Sequence, residues 1–229
     1  TANYDINFQL PEDFLVSGSV KGKIANINNG DKKVLRFQED DIRSFPLLFS
    51  DKYDSYVTNY KDVTIEVLHF KGYEEEARLL ASYSADILKF YSDRFGEYRF
   101  NYLTLGQSPV RGQFGMAADG LVIVGNSFFA DKDLAFSPII DRLTEYLMAH
   151  ELAHQWFGIG VGTDFNEQNW ISEAFAEFLA LRYFHHKYPS EKGNLFVFER
   201  SGFMRNAIES QIGYMNLREH MFELPYLDA

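Results

Sequence analysis

The 229-residue sequence contains no cysteine. That absence removes disulfides, thiolate metal sites and cysteine nucleophiles from consideration, and it is neutral about cellular compartment. Positive charge is scarce. The 22 Lys and Arg stand against 33 Asp and Glu, a formal net charge of −11. Such a balance argues against nucleic acid as a partner, because phosphate binding needs clustered Lys and Arg. No apolar run approaches the ~20 residues of a membrane span, and no signal-like segment opens the chain. Membrane attachment would have to come from parts outside this chain. What is abundant is apolar and aromatic side chain, 46% and 17% of residues. That is enough for a core and too much for disorder.

The hydrophobic period changes along the chain. Tyr4 to Leu10 alternates as a strand does, and Pro11 stops it. Val16 to Ile27 alternates weakly, Asn28-Asn29-Gly30-Asp31 is a turn, and Lys33 to Phe37 is a return strand. Asp62 to Phe70 is the clearest strand, with Val63, Ile65 and Val67 on one face. Beyond Gly72 the period becomes helical, with Leu79, Leu80, Tyr83, Ile87, Phe90 and Tyr91 as the apolar stripe. Glu74, Glu75 and Glu76 suit its first turn and Gly96 its end. Tyr102–Leu105 and Leu121–Val124 read as short strands around a Gly-rich loop. Ser137-Pro138 reads as the start of an amphipathic helix to about Phe157. Ser172 or Asn169 caps another to about Tyr188, and two more are expected near 195–205 and 207–217.

The middle of the chain carries His150-Glu151-Leu152-Ala153-His154 and then, after eighteen intervening residues, Glu173. Positions i and i+4 share a helix face, so His150 and His154 can reach one metal ion. Catalytic zinc takes three protein ligands and keeps a position for water, and Glu173 is the natural third ligand. Glu151 leans toward the same cavity without ligating and suits a general base. A ligating imidazole usually donates its other N–H to a carboxylate or carbonyl, and Glu177, one turn beyond Glu173, is placed for that role. The plainer alternatives are core histidines at a polar edge and a solvated Glu177.

The stretches His150-Glu151-Leu152-Ala153-His154-Gln155-Trp156-Phe157-Gly158 and Trp170-Ile171-Ser172-Glu173-Ala174-Phe175-Ala176-Glu177-Phe178 resemble the aminopeptidase N family of zinc metallopeptidases, of the gluzincin type. Tyr4 to Gly18 and the Phe45 region resemble the end of that family's β-rich N-terminal domain. The resemblance implies an α+β chain in two parts. Residues 1–70 would be the C-terminal part of a saddle-like β domain. Residues 71–229 would be a thermolysin-like mixed α/β catalytic domain, truncated at its end, with the zinc site on two helices. It implies one Zn2+ on His150, His154 and Glu173, Glu151 as base, peptide or protein substrates, and the remaining domains of a longer protein as partners.

Two departures narrow the expectation. Family members carry a Gly-x-Met-Glu-Asn strand whose Glu grips the substrate's free α-amine. The matching stretch is Phe114 to Leu121, where Met116, Gly120 and Leu121 fit the frame but Ala117 and Ala118 hold the Glu and Asn positions. Gly115, Met116, Ala117 and Ala118 are the candidate substrate-binding residues, and Asp119 is a substitute carboxylate by a register shift. The plainer alternative is a Gly-rich surface loop. The family's oxyanion tyrosine is expected at or past Ala229, since Tyr214 and Tyr226 sit in no convincing motif. The chain by itself is therefore expected to be a poor catalyst. The leading reading is zinc-dependent peptide hydrolysis, exo- or endopeptidase undecided. The alternative is a non-catalytic peptide-binding or scaffold module.

Overall fold

A computed structural model of the chain describes residues 1–25, 32–110, 115–129, 142–164 and 167–189. Two compact units are delimited, Thr1–Tyr183 and Phe184–Ala229, and of the second only residues 184–189 are described. The expected turn at 28–31, the helix start at Ser137-Pro138, the helices near 195–205 and 207–217, Tyr214 and Tyr226 all lie outside the described residues.

The first strands form a small antiparallel layer. β1 (Ala2–Pro11) pairs with β4 (Lys32–Ile42), which also pairs with β3 (Lys23–Ala25). β2 (Leu15–Gly18) pairs with β5 (Leu47–Ser50). The alternation of β1 sends Ile6, Phe8 and Leu10 to one face, where they meet Val20, Leu35 and Phe37.

A second, five-stranded mixed sheet has the order β6-β7-β8-β10-β9. β6 (Tyr53–Tyr60) and β7 (Val63–Phe70) form a hairpin; β8 (Tyr102–Ser108) runs parallel to β7, and β10 (Leu121–Gly125) parallel to β8. β9 (Gly115–Ala118) lies antiparallel to β10 at the edge. Every residue of β8 is buried, as a central parallel strand covered on both faces requires. The expected division at residue 70 falls inside this sheet, because β7 hydrogen-bonds to β8 across it.

The crossover from β7 to β8 is α1 (Glu74–Phe95), with three glutamates in its first turn and Gly96 at φ +98° beyond its end. Its buried face carries Leu80, Ala81, Ser84, Ile87, Leu88 and Tyr91; Leu79, assigned to the stripe from sequence, is 46% exposed. A short α2 (Asn126–Phe129) follows β10. α3 (Leu143–Ala153) is buried nearly all round, rather than amphipathic, because it packs between α1 and the edge strand β9. The Tyr91 hydroxyl donates to the Ala149 carbonyl at 2.9 Å and ties α1 to α3. α3 ends at Ala153, short of the expected Phe157. Gln155 and Trp156 continue it only as a tighter turn, bonding back to Leu152 and Ala153. Two-residue strands β11 (Phe157–Gly158) and β12 (Val161–Gly162) then lead to α4 (Asn169–Lys187). No described helix is long and apolar enough to cross a membrane.

Candidate metal centre

Three elements converge on one point. α3 and the turn that follows it supply His150 and His154, and the first turns of α4 supply Glu173. One ligand atom from each lies within 4.8 Å of the others. The two Glu173 oxygens divide between the imidazoles. Oε2 is 3.2 Å from His150 Nε2, and Oε1 is 3.7 Å from His154 Nε2. A tetrahedral ion with bonds of ~2.0–2.1 Å would hold its ligand atoms ~3.3 Å apart, so the donor set fits zinc.

The outer nitrogens explain why both Nε2 atoms face inward. His150 Nδ1–H donates to Glu177 Oε2 at 3.2 Å, and that carboxylate is buried. His154 Nδ1 faces the Ser172 hydroxyl at 3.0 Å and the Phe157 carbonyl at 3.3 Å. A carbonyl can only accept, and the Ser172 hydroxyl donates to it at 3.2 Å, so Nδ1 carries the proton. His154 Nε2 thereby keeps a lone pair for a metal, and His150 Nε2 offers one once its proton is released. Ser172, a cap candidate from sequence, lies inside α4 and works on His154 instead. Gly158 makes room for it. At φ +117° a Cβ there would lie 2.2 Å from Ser172 Oγ.

Charge is unevenly held. Burial pulls the His150 pKa down, but hydrogen bonds to Glu173 and Glu177 outweigh it and raise it to about 9. Burial and the His150 charge lower that of His154, and the hydrogen bond from His150 lowers that of Glu173. Glu151 is 6% exposed, and burial, helped by Glu173 and opposed by His150, raises it to about 7. Among the described residues its carboxylate has no hydrogen-bond partner.

A cavity of about 190 Å³ opens here, lined by Gly115, Met116, Ala117, Glu151, His154, Gly158, Ile159 and Glu173. Gly115 touches Glu151 so closely that a Cβ there would sit 2.3 Å from Oε1. Of the candidate strand residues, Gly115, Met116 and Ala117 face this cavity, and Ala118 begins the turn to β10. Asp119 is not a substitute carboxylate. It is 1% exposed and turned away, accepting from the Arg43 and Ser44 amides at 3.4 and 3.0 Å and the Ser44 hydroxyl at 2.8 Å. Gln155 had been given no role. It is buried and bonds to both ends of that turn, at the Ala118 carbonyl and the Gly120 amide. Nothing local in the sequence marks such a contact across 35 residues.

Comparison with known proteins gives the class. The Peptidase family M1 domain matches residues 81–225. The chain belongs to this family. It is 32% identical over 169 residues to Aminopeptidase 2 of Candida albicans, covering 72% of this chain and 18% of that protein. It is 26% identical over 204 residues to Probable aminopeptidase 1 of Saccharolobus solfataricus, covering 84% and 26%. It is also 35% identical over 112 residues to human Glutamyl aminopeptidase, covering 46% and 12%. The chain thus spans only 12% to 26% of these relatives' lengths.

Proposed function

We propose that this chain carries the zinc-binding and proton-transferring part of a metallopeptidase that hydrolyses peptide bonds. The observation that carries the reading is that His154, Glu173 and Glu151 line one cavity while a His150 ring nitrogen lies within 4.8 Å of the other two ligand atoms. Membership of peptidase family M1 and likeness to aminopeptidases support the reaction class. His150, His154 and Glu173 would hold one Zn2+, with Glu177 and Ser172 orienting the two imidazoles. When bound, the ion would polarise a substrate carbonyl and lower the pKa of water to ~7.

Glu151 supplies the proton chemistry. Its carboxylate opens on the cavity and exchanges a proton near neutrality. It takes a proton as water attacks the carbonyl carbon and returns it to the leaving amine. The edge strand β9 offers an extended peptide a backbone to pair with. Ala117 puts no carboxylate into that wall, and Asp119 is committed to Arg43 and Ser44. The reading therefore extends to peptides whose α-amine is blocked or whose scissile bond is internal. Residues 1–70 are read as the end of a saddle-like β domain and residues 71–229 as a thermolysin-like catalytic part; a mixed sheet beside two site-bearing helices supports the second.

Glu151→Gln tests the core of it. The substitution should keep stoichiometric zinc and lower turnover about 10²–10⁴-fold. Equal turnover by variant and wild type would remove Glu151 as base, and a chain that only binds peptide would be a recognition module. N-acetylated and free peptides offered side by side to the full-length protein separate the two specificities.

A further inference from the structure

One buried side chain between α3 and the strand wall of the cavity has no part in the chemistry above. Gln155 follows His154 directly and is 3% exposed. Its Oε1 accepts from the Gly120 amide at 3.1 Å, and its Nε2 donates to the Ala118 carbonyl at 2.9 Å. The partners force the amide's orientation, since one can only donate and the other only accept. Together they are the two ends of the β9–β10 turn.

The same turn is held elsewhere. Asp119 accepts from Arg43 and Ser44, and the Gly120 carbonyl accepts from the Thr104 amide at 2.9 Å. Gly120 sits at φ +63°, where a Cβ would lie 2.7 Å from the Ser19 carbonyl. These contacts tie the turn to the N-terminal strands and to β8. Among the described residues, Gln155 alone of the turn's hydrogen-bond partners comes from the segment that carries the metal ligands. At the other end of β9, Gly115 packs directly on Glu151. A shift of the turn would pass along four residues to the cavity wall.

We propose that Gln155 is a positioning residue, locking β9 in register with α3 so that a peptide laid on β9 meets Glu151 and the ligand set at a set distance. The inference rests on the peptide-hydrolase reading for its purpose, but its geometry does not. Methionine matches the length and volume of Gln155 without either hydrogen bond, so Gln155→Met in the zinc-loaded full chain is the test. Amide exchange at Gly120 should speed up about tenfold, the loss of one buried hydrogen bond. The Kd of a dye-labelled extended peptide should rise about tenfold, with zinc content unchanged. Faster exchange with an unchanged Kd would make Gln155 a purely structural clamp and overturn the proposal. So would unchanged exchange, or a wild-type chain that binds no peptide. Should Gln155→Met unfold, Gln155→Glu keeps an oxygen for Gly120, and both readouts should then loosen about threefold. Turnover is measured separately on the wild type. Its absence would refute hydrolysis while the Kd comparison still decides on Gln155.

Discussion

Gly115→Ala isolates the base from the metal. The added Cβ would stand 2.3 Å from Glu151 Oε1, 2.5 Å from Cδ and 2.6 Å from Cγ. Ordinary carbon contacts are ~3.5–4.0 Å, so one side must retreat by about 1 Å or more. β9 is paired with β10 along its length, and its turn is held by Gln155 and Asp119. Glu151 has flexible torsions and no hydrogen bond among the described residues, so Glu151 moves. Misplacing a catalytic group by 1 Å costs about 10²-fold in rate, or ~2.7 kcal/mol of barrier. The backbone of Gly115 is not in the left-handed region, so stability should change by less than ~1 kcal/mol. The assay is kcat/KM on one peptide, with zinc content and thermal midpoint measured on the same samples. Wild-type turnover, or a matching loss of zinc, would refute the reasoning.

Other outcomes follow from the same contacts. Glu177→Ala removes the carboxylate on His150 Nδ1 and should weaken zinc binding about 10–100-fold, read by competition with a chelator. Gly158→Ala puts a Cβ into Ser172 Oγ at φ +117°; it should cost ~1–3 kcal/mol in denaturant unfolding and loosen His154 as a ligand. Zinc uptake at pH 8 should release about one proton, because His150 near pKa 9 still holds a proton that a ligating imidazole must lose, whereas Glu151 near 7 is already ionised. Calorimetry in buffers of different ionisation enthalpy counts that proton, and a count of zero would contradict the His150 environment. For the metal-free chain the sign is set by a folded His150 pKa above the usual His value of ~6.5. Its contribution to stability is full below that value and fades as pH rises through about 9, so the thermal midpoint should fall over that window.

Much of the site was legible because it is local. His150 and His154 are one helical turn apart, and the register of Glu173 and Glu177 on the next helix follows from the same 3.6-residue period. The strand alternation of Tyr4–Leu10 and Val63–Phe70 was equally open to reading, since burial on one face imposes it. The limits of α3 were not. Its apolar pattern is continuous toward Phe157, and the helix stops at Ala153 because the chain must tighten and turn through Gly158. The pairing of β7 with β8 across residue 70 was not legible for a similar reason. A strand's sequence states that it is buried, not which neighbour it pairs with.

The sequence by itself determined the chemistry: two imidazoles, two carboxylates, their spacing on helices, and no thiol to compete with them. These are covalent facts of one short segment and need no fold to be read. Only the tertiary structure decided how that chemistry is held. It set Asp119 facing Arg43 and Ser44 rather than the cavity, Ser172 on His154 rather than at a helix end, and Gln155 across to Ala118 and Gly120. Each of those contacts joins residues from different parts of the chain, 18 to 76 positions apart. Their partners are chosen by packing, which no local periodicity encodes.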